Sequence, residues 1–264
     1  MMNNIIITVD LEYDWESEKI DNILLLPKLL DFFDDFDVNA TFFVLGEIIK
    51  EFENIIKEIS KKHEIASHGF SHVKLKKLDN NSLVREVSLT KGILEDMRIP
   101  CLGFRSPYFL PPRNLGLILE NFGYKYDSSI SKGILWGRHN NFFVPEKPYR
   151  VANHDISERG NGIIEIPVSN FSFLNMPLGL PFFRLCKKFH FPLSIPKNNP
   201  LIFYMHPYEL LNSKPGKEIN FLYRQLYKLN NGGKAWKILE DFFSTNHKFI
   251  SCRQFIKKGF KNEK

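Results

Sequence analysis

Cysteine is scarce in this sequence, and long apolar runs are missing from it. The 264 residues include three cysteines, Cys101, Cys186 and Cys252. An odd number at scattered positions predicts neither a disulfide framework nor a paired metal-binding motif. No stretch approaches the roughly 20 apolar residues that a membrane-spanning helix needs. The first residues, MMNNIIITVD, lack the basic segment and the long apolar run of a secretory signal peptide. These absences favour a cytoplasmic location.

The chain also has no internal repeat and no linker rich in glycine, serine or proline. Hydrophobic residues make up 43% of the sequence and charged residues 25%, which is typical of a globular domain. The length suits an α/β barrel, which often runs to about 250 residues as one unit. We therefore expect a single domain over residues 1–264.

The formal net charge is +6. Such a charge is compatible with nucleic acid as a partner, but the lysines are dispersed and no nucleic-acid-binding motif accompanies them, so we expect no such partner. A basic surface also suits anionic lipid headgroups or phosphate-linked sugars.

Short β-rich segments alternate with amphipathic segments along the chain. We predict strands at IIITVDLE, NATFFVLG, EIASHG, CLGFRSPYF, KYDSSI, GIIEIPVS and PLIFYMHPYE. Helices are predicted between them, including one continuous helix over EIIKEFENIIKEISKKH. This alternation indicates an α/β fold with parallel strands joined by crossover helices.

Polar residues follow the predicted strands at the point where each strand ends. In α/β barrels the chemistry lies at the carboxyl ends of the strands, so we expect one face to collect Asp10, Glu12, His68, His72, Arg105, Asp127 and His206. His68 and His72, four residues apart in HEIASHGFSH, can reach one point in a helix or a tight turn, which favours a metal site. The alternative is a surface turn that happens to be rich in histidine.

Five motifs, TVDLE, SHGFSH, RSPY, YDSSI and YMHPYE, resemble in order the motifs of the polysaccharide deacetylases, the NodB-homology group. The resemblance covers a core from Ile5 to Phe255. EIPVS and FYMHPYEL resemble the subgroup associated with exopolysaccharide export and glycan assembly. The resemblance implies a distorted (β/α)7-type barrel that removes an N-acetyl group from an amino sugar with one bound divalent metal ion.

The resemblance assigns His68 and His72 as metal ligands, and a carboxylate should complete the set. Two histidines and one carboxylate leave open positions for water and substrate. Glu12 is the candidate, because alternation along a strand puts it on the same face as Asp10, and Asp14 is the competitor. Zn²⁺ is the expected ion, although such a donor set binds several divalent metals.

The resemblance also assigns the catalytic groups. Asp10 matches the general base, and Arg105 matches the arginine that pairs with it. The backbone N–H of Tyr108, aimed by the turn at Pro107, should stabilise the oxyanion.

On the leaving-group side, His206 matches the general acid, and Asp127 matches the acid that orients it. Two positions depart from the family pattern, since Tyr204 replaces a usual leucine and Ser128 a frequent aromatic residue. The acyl pocket is then more polar, or is filled from elsewhere, for example by Trp136 or Phe171.

The segment from Phe171 to Pro196, FSFLNMPLGLPFFRLCKKFHFPLSIP, is rich in Phe, Leu and Pro and contains Lys187 and Lys188. It is either a core helix with its loop or a surface that contacts the membrane holding a lipid-linked sugar. The second interpretation would place the protein at the inner face of the membrane.

Two rival functions remain open at this point. One is hydrolysis of a small non-glycan amide, as in allantoinase-like relatives. The other is binding of an N-acetylated glycan by a catalytically inactive member. The complete motifs favour hydrolysis, because Asp10, Arg105 and His206 have no role in binding alone.

Overall fold

The computed structural model describes residues 4–14, 19–135, 139–141, 143–171, 176–189, 200–212, 224–225 and 228–259. The strands are β1 Asn4–Leu11, β2 Thr41–Val44, β3 Glu64–Ser67, β4 Gly103–Phe104, β5 Tyr126–Asp127, β6 Gly133–Leu135, β7 His139–Asn141, β8 Tyr149–Val151, β9 Arg159–Glu165, β10 Leu201–Met205 and β11 Lys248–Ile250. The α-helices are α1 Leu26–Asp35, α2 Gly46–Glu51, α3 Glu53–Ser60, α4 Asn80–Asp96, α5 Leu115–Asn121, α6 Leu180–Phe189, α7 Gly233–Phe243 and α8 Cys252–Lys257.

The main sheet curls into a half-barrel. Its strand order is β10-β1-β2-β3-β4-β5-β9-β8, and β11 also pairs with β1. All of its pairings are parallel except that of β8 with β9. Strands β6 and β7 form a separate antiparallel pair. The predicted α/β fold of distorted-barrel type is thus confirmed, while the predicted domain bounds stay a prediction.

Strand β1 is buried on both faces. Ile5, Ile7 and Val9 belong to the cluster that includes the helices, whereas Ile6 belongs to a second cluster inside the curled sheet. Because side chains alternate along a strand, Asp10 points the same way as Ile6, toward the inside.

The same alternation applies to the other strands whose side chains point into the interior of the curled sheet. Ala66, Tyr126, Ile202 and Tyr204 belong to the interior cluster. The residues two positions further along, among them His68, Ser128 and His206, therefore face the interior at its carboxyl end. The fold in this way brings polar side chains together at the carboxyl end of the sheet, next to the interior apolar cluster.

The helix predicted over residues 47–63 is two helices, α2 and α3. They meet at Phe52, whose φ of −124° and ψ of 41° are not helical. Ile49 of α2 and Ile56 of α3 are both fully buried, so the break lets each short helix turn its own apolar side inward. Periodicity alone did not reveal this break.

The described part of the segment at 171–196 contains helix α6. This helix buries Leu180, Phe183 and Cys186, as expected from the interpretation of a core helix. Within the residues the structure describes, no helix is both long and apolar enough to cross a membrane.

Candidate active site

The predicted polar residues gather at the carboxyl edge of the curled sheet. In the parallel pairing of β1 with β10, Val9 lies opposite Met205, so Asp10 and His206 are the next residues on adjacent strands. In the parallel pairing of β3 with β4, Ser67 lies opposite Phe104, which brings His68 beside Arg105. The register therefore brings together side chains that are far apart in the sequence.

Glu12, His68 and His72 form a compact cluster of donor atoms. One ligand atom from each lies within 4.8 Å of the others. Oε2 of Glu12 is 2.6 Å from Nε2 of His72 and 3.2 Å from Nε2 of His68. Burial raises the pKa of Glu12, but the charges of His72 and His206, together with hydrogen bonds from His68 and His72, outweigh that effect and hold the pKa well below its usual value.

The donor set fits a metal ion. Nδ1 of His68 donates to the carbonyl oxygen of Arg105 at 2.9 Å, so in the neutral tautomer Nε2 presents a lone pair to the Glu12 carboxylate. Two acceptors facing each other require a cation or an additional proton between them. The hydrogen bond from Nδ1 is also the contact that orients metal-binding histidines in general.

Asp14, the competing carboxylate, points elsewhere. It accepts hydrogen bonds from the backbone N–H of Asp21 at 2.7 Å and from the side-chain amide of Asn22. Asp14 therefore organises the start of the short helix Asp21–Leu25. Of the two candidates, Glu12 is the one beside the histidines.

The histidine pair lies in a tight loop, not in a helix. His72 has a φ of 53° and Gly69 a φ of 79°, both in the left-handed region. Glu86 of α4 holds the loop by accepting from the backbone N–H of Phe70 at 2.8 Å and of Ser71 at 3.1 Å. Sequence reasoning missed Glu86, because nothing in its own segment points to the loop.

Asp10 and Arg105 form a buried ion pair. Nη1 of Arg105 donates to Oδ1 of Asp10 at 2.7 Å, and Arg105 is fully buried. The guanidinium also donates to Oγ of Thr8 at 2.9 Å and to Oγ and the carbonyl of Ser128 at 2.8 and 2.9 Å. Ser128, one of the two departures, thus serves as a hydrogen-bond partner of Arg105.

His206 lies near the second carboxylate oxygen of Asp10, Oδ2, whereas Arg105 contacts Oδ1. Its Nε2 is 3.9 Å from Oδ2 of Asp10 and 3.7 Å from Oε1 of Glu12, while Nδ1 is 3.1 Å from Oε1 of Glu209. The ring stacks on Tyr208 at 4.7 Å. Burial lowers the pKa of His206, but the surrounding carboxylates Glu12, Glu209 and Asp10 more than offset it and raise that pKa.

The structure corrects the prediction that Asp127 orients His206. Asp127 accepts from the backbone N–H and the hydroxyl of Ser129 at 3.1 and 2.7 Å, and it lies opposite Glu165 on β9. Since Tyr126 points into the interior, the next residue on β5 points to the other face. Glu209, three residues after His206, holds Nδ1 instead.

The turn after Arg105 is strained. Tyr108 and Phe109 both have positive φ values, 61° and 55°, which non-glycine residues adopt at a cost. The ring of Tyr108 packs on His72 at 4.5 Å. The turn therefore abuts the donor cluster, and the role of the Tyr108 N–H as an oxyanion donor stays a prediction.

Comparison with known proteins agrees with this geometry. Residues 5–126 match the family model of polysaccharide deacetylases. Over this part, which is somewhat less than half of the chain, the sequence is similar to the polysaccharide deacetylases. It is 36% identical over 96 residues to the peptidoglycan-N-acetylglucosamine deacetylase of Bacillus cereus, a match that covers 36% of this chain and 33% of that protein. It is 29% identical over 135 residues to the peptidoglycan deacetylase of Helicobacter pylori, covering 49% and 41%.

The chain thus spans less than half of the length of these curated relatives. Among solved structures, a polysaccharide deacetylase homologue from Mycobacterium smegmatis superimposes with a TM-score of 0.60 at 19% identity, over 97% of this chain and 89% of that one. The Puue allantoinase superimposes with a TM-score of 0.59 at 16% identity, over 96% and 89%. These structural likenesses support the shared fold.

Tyr204 occupies the position where the resemblance leads us to expect a leucine that shapes an acyl pocket. The edge of its ring contacts Phe109 at 5.3 Å and His206 at 5.7 Å between ring centres. Phe171, one residue considered as a filler of the pocket, packs on Phe183 in the core. Trp136, the other, lies outside the described residues.

Proposed function

We propose that the protein is a metal-dependent hydrolase that removes the N-acetyl group of an amino sugar in a glycan. The observation that carries this proposal is the placement of Glu12, His68 and His72 directly beside the Asp10–Arg105 pair and His206. The names of the relatives, peptidoglycan and chitin deacetylases, support an N-acetylated glycan as the substrate.

Glu12, His68 and His72 would hold the ion, with Zn²⁺ as our first candidate. When bound there, a divalent ion supplies positive charge for the carbonyl oxygen and lowers the pKa of water toward about 7.

Asp10 and His206 would divide the proton transfers between them. Asp10, fixed at Oδ1 by Arg105, takes the proton of the attacking water at Oδ2. As the C–N bond breaks, Nε2 of His206 delivers a proton to the departing nitrogen, which leaves as the free amine while the acyl group leaves as acetate. The N–H of Tyr108 stabilises the developing oxyanion, an interaction typically worth about 3 kcal/mol.

Two alternative functions are supported by similarity to solved structures. The likeness of the fold to an allantoinase is compatible with a small cyclic or linear amide as the substrate. A pseudoenzyme from Bacillus anthracis, described as a member of carbohydrate esterase family 4, superimposes with a TM-score of 0.52 at 14% identity, so a chain with this fold need not be active. The buried Asp10–Arg105 pair favours catalysis, because binding a sugar requires no desolvated base.

The finer form of the proposal concerns the setting of the reaction. The resemblance of FYMHPYEL to the exopolysaccharide and glycan-assembly subgroup, and the net charge of +6, favour a lipid-linked glycan precursor handled at the inner face of the membrane.

The test combines metal analysis of the purified protein with acetate release from a panel of N-acetylated glycans, lipid-linked N-acetylated sugars and allantoin. We expect one divalent ion per chain and acetate from a glycan. His68→Ala and His72→Ala should each lose stoichiometric metal and activity together, whereas Asp14→Asn, as the control carboxylate, should keep the metal. Full metal retention in both histidine variants would overturn the assignment, and turnover of allantoin alone would favour the small-amide alternative.

A further inference from the structure

A buried ion pair lies directly behind His206. Nη1 of Arg184 donates to Oε2 of Glu209 at 3.0 Å, and both residues are about 1% exposed. Neither residue belongs to the predicted site. Arg184 comes from α6, whose other buried side chains are the apolar Leu180, Phe183 and Cys186, so a buried guanidinium there requires a charged or polar partner.

Glu209 uses its two oxygens for different purposes. Oε1 accepts from the backbone N–H of His206 at 3.0 Å and lies 3.1 Å from Nδ1 of the same residue. Oε2 accepts from Arg184. One carboxylate thus connects the candidate acid to a cation held by another helix.

The cation is itself fixed in place. Nε of Arg184 donates to the carbonyl oxygen of Leu229 at 3.1 Å, and the side-chain amide of Asn230 donates to the carbonyl oxygen of Arg184 at 2.9 Å. The backbone N–H of Gly232 donates to the carbonyl oxygen of Glu209 at 3.1 Å. The segment 229–232 therefore holds both Arg184 and the backbone of Glu209 in place.

The arrangement determines how the imidazole is presented. A carboxylate next to Nδ1 places a proton on that nitrogen, which leaves Nε2 as the atom directed at Asp10 and Glu12. Stacking on Tyr208 at 14° between ring planes restricts rotation of the ring. Orientation and tautomer are then both set before a substrate binds.

We propose that Glu209, charge-balanced by Arg184, is the positioning residue for His206, the role that the family resemblance assigns to Asp127. The proposal rests on the proposed function for its catalytic consequence, but the positioning of the ring can be measured without turnover.

An amide cannot replace this carboxylate. In Glu209→Gln, the NH2 group must face either Arg184 or the two N–H donors of His206, and both orientations bring donors together. In the double variant Glu209→Gln with Arg184→Met, the NH2 group can face the thioether side chain while the oxygen accepts from His206. The second substitution should therefore rescue the first.

The experiment compares the wild-type protein, both variants and Glu158→Gln. The last variant is the matched control, because Glu158 contacts His154 at 3.0 Å in an exposed pair of the same type. The ¹⁵N NMR signals of His206, recorded on metal-free protein at a pH alkaline enough to leave the imidazole neutral, report its tautomer. We expect a protonated Nδ1 in the wild type, the control and the double variant, and a mixture of tautomers in Glu209→Gln.

Rates on an N-acetylated glycan and on an activated aryl acetate give the second readout. We expect Glu209→Gln to lower the rate on the N-acetylated glycan roughly 10–100-fold and to leave the rate on the aryl acetate unchanged. The double variant should regain activity on the glycan. An unprotonated Nδ1 in the wild type would overturn the proposal, as would equal losses on both substrates with an unaltered tautomer. If the wild type cleaves no N-acetylated glycan, the proposed function fails, and the NMR result still decides the positioning role.

Discussion

Asp10 and Glu12 lie two residues apart on one face of the chain and are held by different partners. The first is paired with the fully buried Arg105 at 2.7 Å, and the second lies against two histidines. The proposed function assigns proton transfer to the first carboxylate and metal binding to the second, and these different partners support that division.

This difference predicts distinct losses at the two positions. Asp10→Asn should keep the bound metal and the fold but lower kcat by about 10²–10⁴-fold, the usual contribution of a general base. Glu12→Gln should release the metal. Metal content and kcat measured on the same preparations check this, and a variant Asp10→Asn with more than about a tenth of the wild-type rate contradicts the assigned role.

A second pair of carboxyl groups, Asp127 and Glu165, is fully buried on the other face of β5 and β9. Burial raises the pKa of Glu165 well above its usual value, and the charge of Asp127 adds to that effect. The folded chain therefore holds this proton at pH values where the unfolded chain has released it, so stability falls as pH rises above the ordinary glutamate pKa.

Glu165→Gln should remove this pH-dependent cost while keeping the oxygen that accepts from the N–H of Ile130 at 2.9 Å. We expect a higher Tm than the wild type at mildly alkaline pH and a gain that shrinks toward acid pH. Thermal unfolding across this pH range checks it, with the exposed Glu120→Gln as the control. A gain that is independent of pH would show that the raised pKa of Glu165 is not what makes stability depend on pH.

At the scale of secondary structure, the position of His206 depends on how β10 packs. Tyr204 of β10 lies against Gly179, where an added Cβ would come within 2.3 Å of the Tyr204 ring. Gly179 and Tyr204 also form an isolated parallel bridge. The glycine is therefore needed for the tyrosine to lie where it contacts His206.

Gly179→Ala should destabilise the fold by about 1–3 kcal/mol, the usual cost of overpacking, and should lower activity by displacing β10. Adding Tyr204→Leu, which restores the leucine common in the family, should recover part of the stability. Urea unfolding of the two variants measures this. Gly92→Ala, with nothing within 4 Å of the new methyl group, is the control and should stabilise by about 0.5–1 kcal/mol. Unchanged stability in Gly179→Ala would mean that the strand accommodates the methyl group.

At the scale of the whole molecule, one buried histidine connects stability to acid pH. His63 is packed against Phe33 and Phe42, and burial lowers its pKa from 6.5 to about 4. The unfolded chain takes up a proton at the ordinary pKa while the folded chain does not. Stability should therefore fall as the pH drops from about 6.5 to about 4.

His63→Leu should flatten this dependence. We expect the difference in unfolding free energy between neutral pH and pH 4 to shrink by up to about 3 kcal/mol, although the lost acceptor for the N–H of Ala40 lowers stability at neutral pH. Urea unfolding at both pH values provides the measurement. His154→Gln, at an exposed histidine, should leave the difference unaltered, and an unchanged difference in His63→Leu would mean that acid unfolding begins at other groups.

Much of the candidate site could be predicted because strand ends and motif residues are local features. The apolar run IIITV followed by acids predicts a buried strand with Asp10 and Glu12 at its end, and the structure has β1 there. The alternation of strands and helices was enough to predict a parallel α/β sheet. The period of two along β5 places Asp127 and Tyr126 on different faces of the sheet, which separates Asp127 from the interior where His206 lies.

The sequence by itself determined which segments form the main strands, which polar residues follow them and which family the motifs resemble. Tertiary structure alone decided that Glu12 and not Asp14 joins the histidines, that Glu209 and not Asp127 holds His206, and that Arg184 is buried. The physical reason is that periodicity reports which side of an element is buried. The partner of a polar group depends instead on strand order, on register and on which lone pairs and donors the nearby chain has already used.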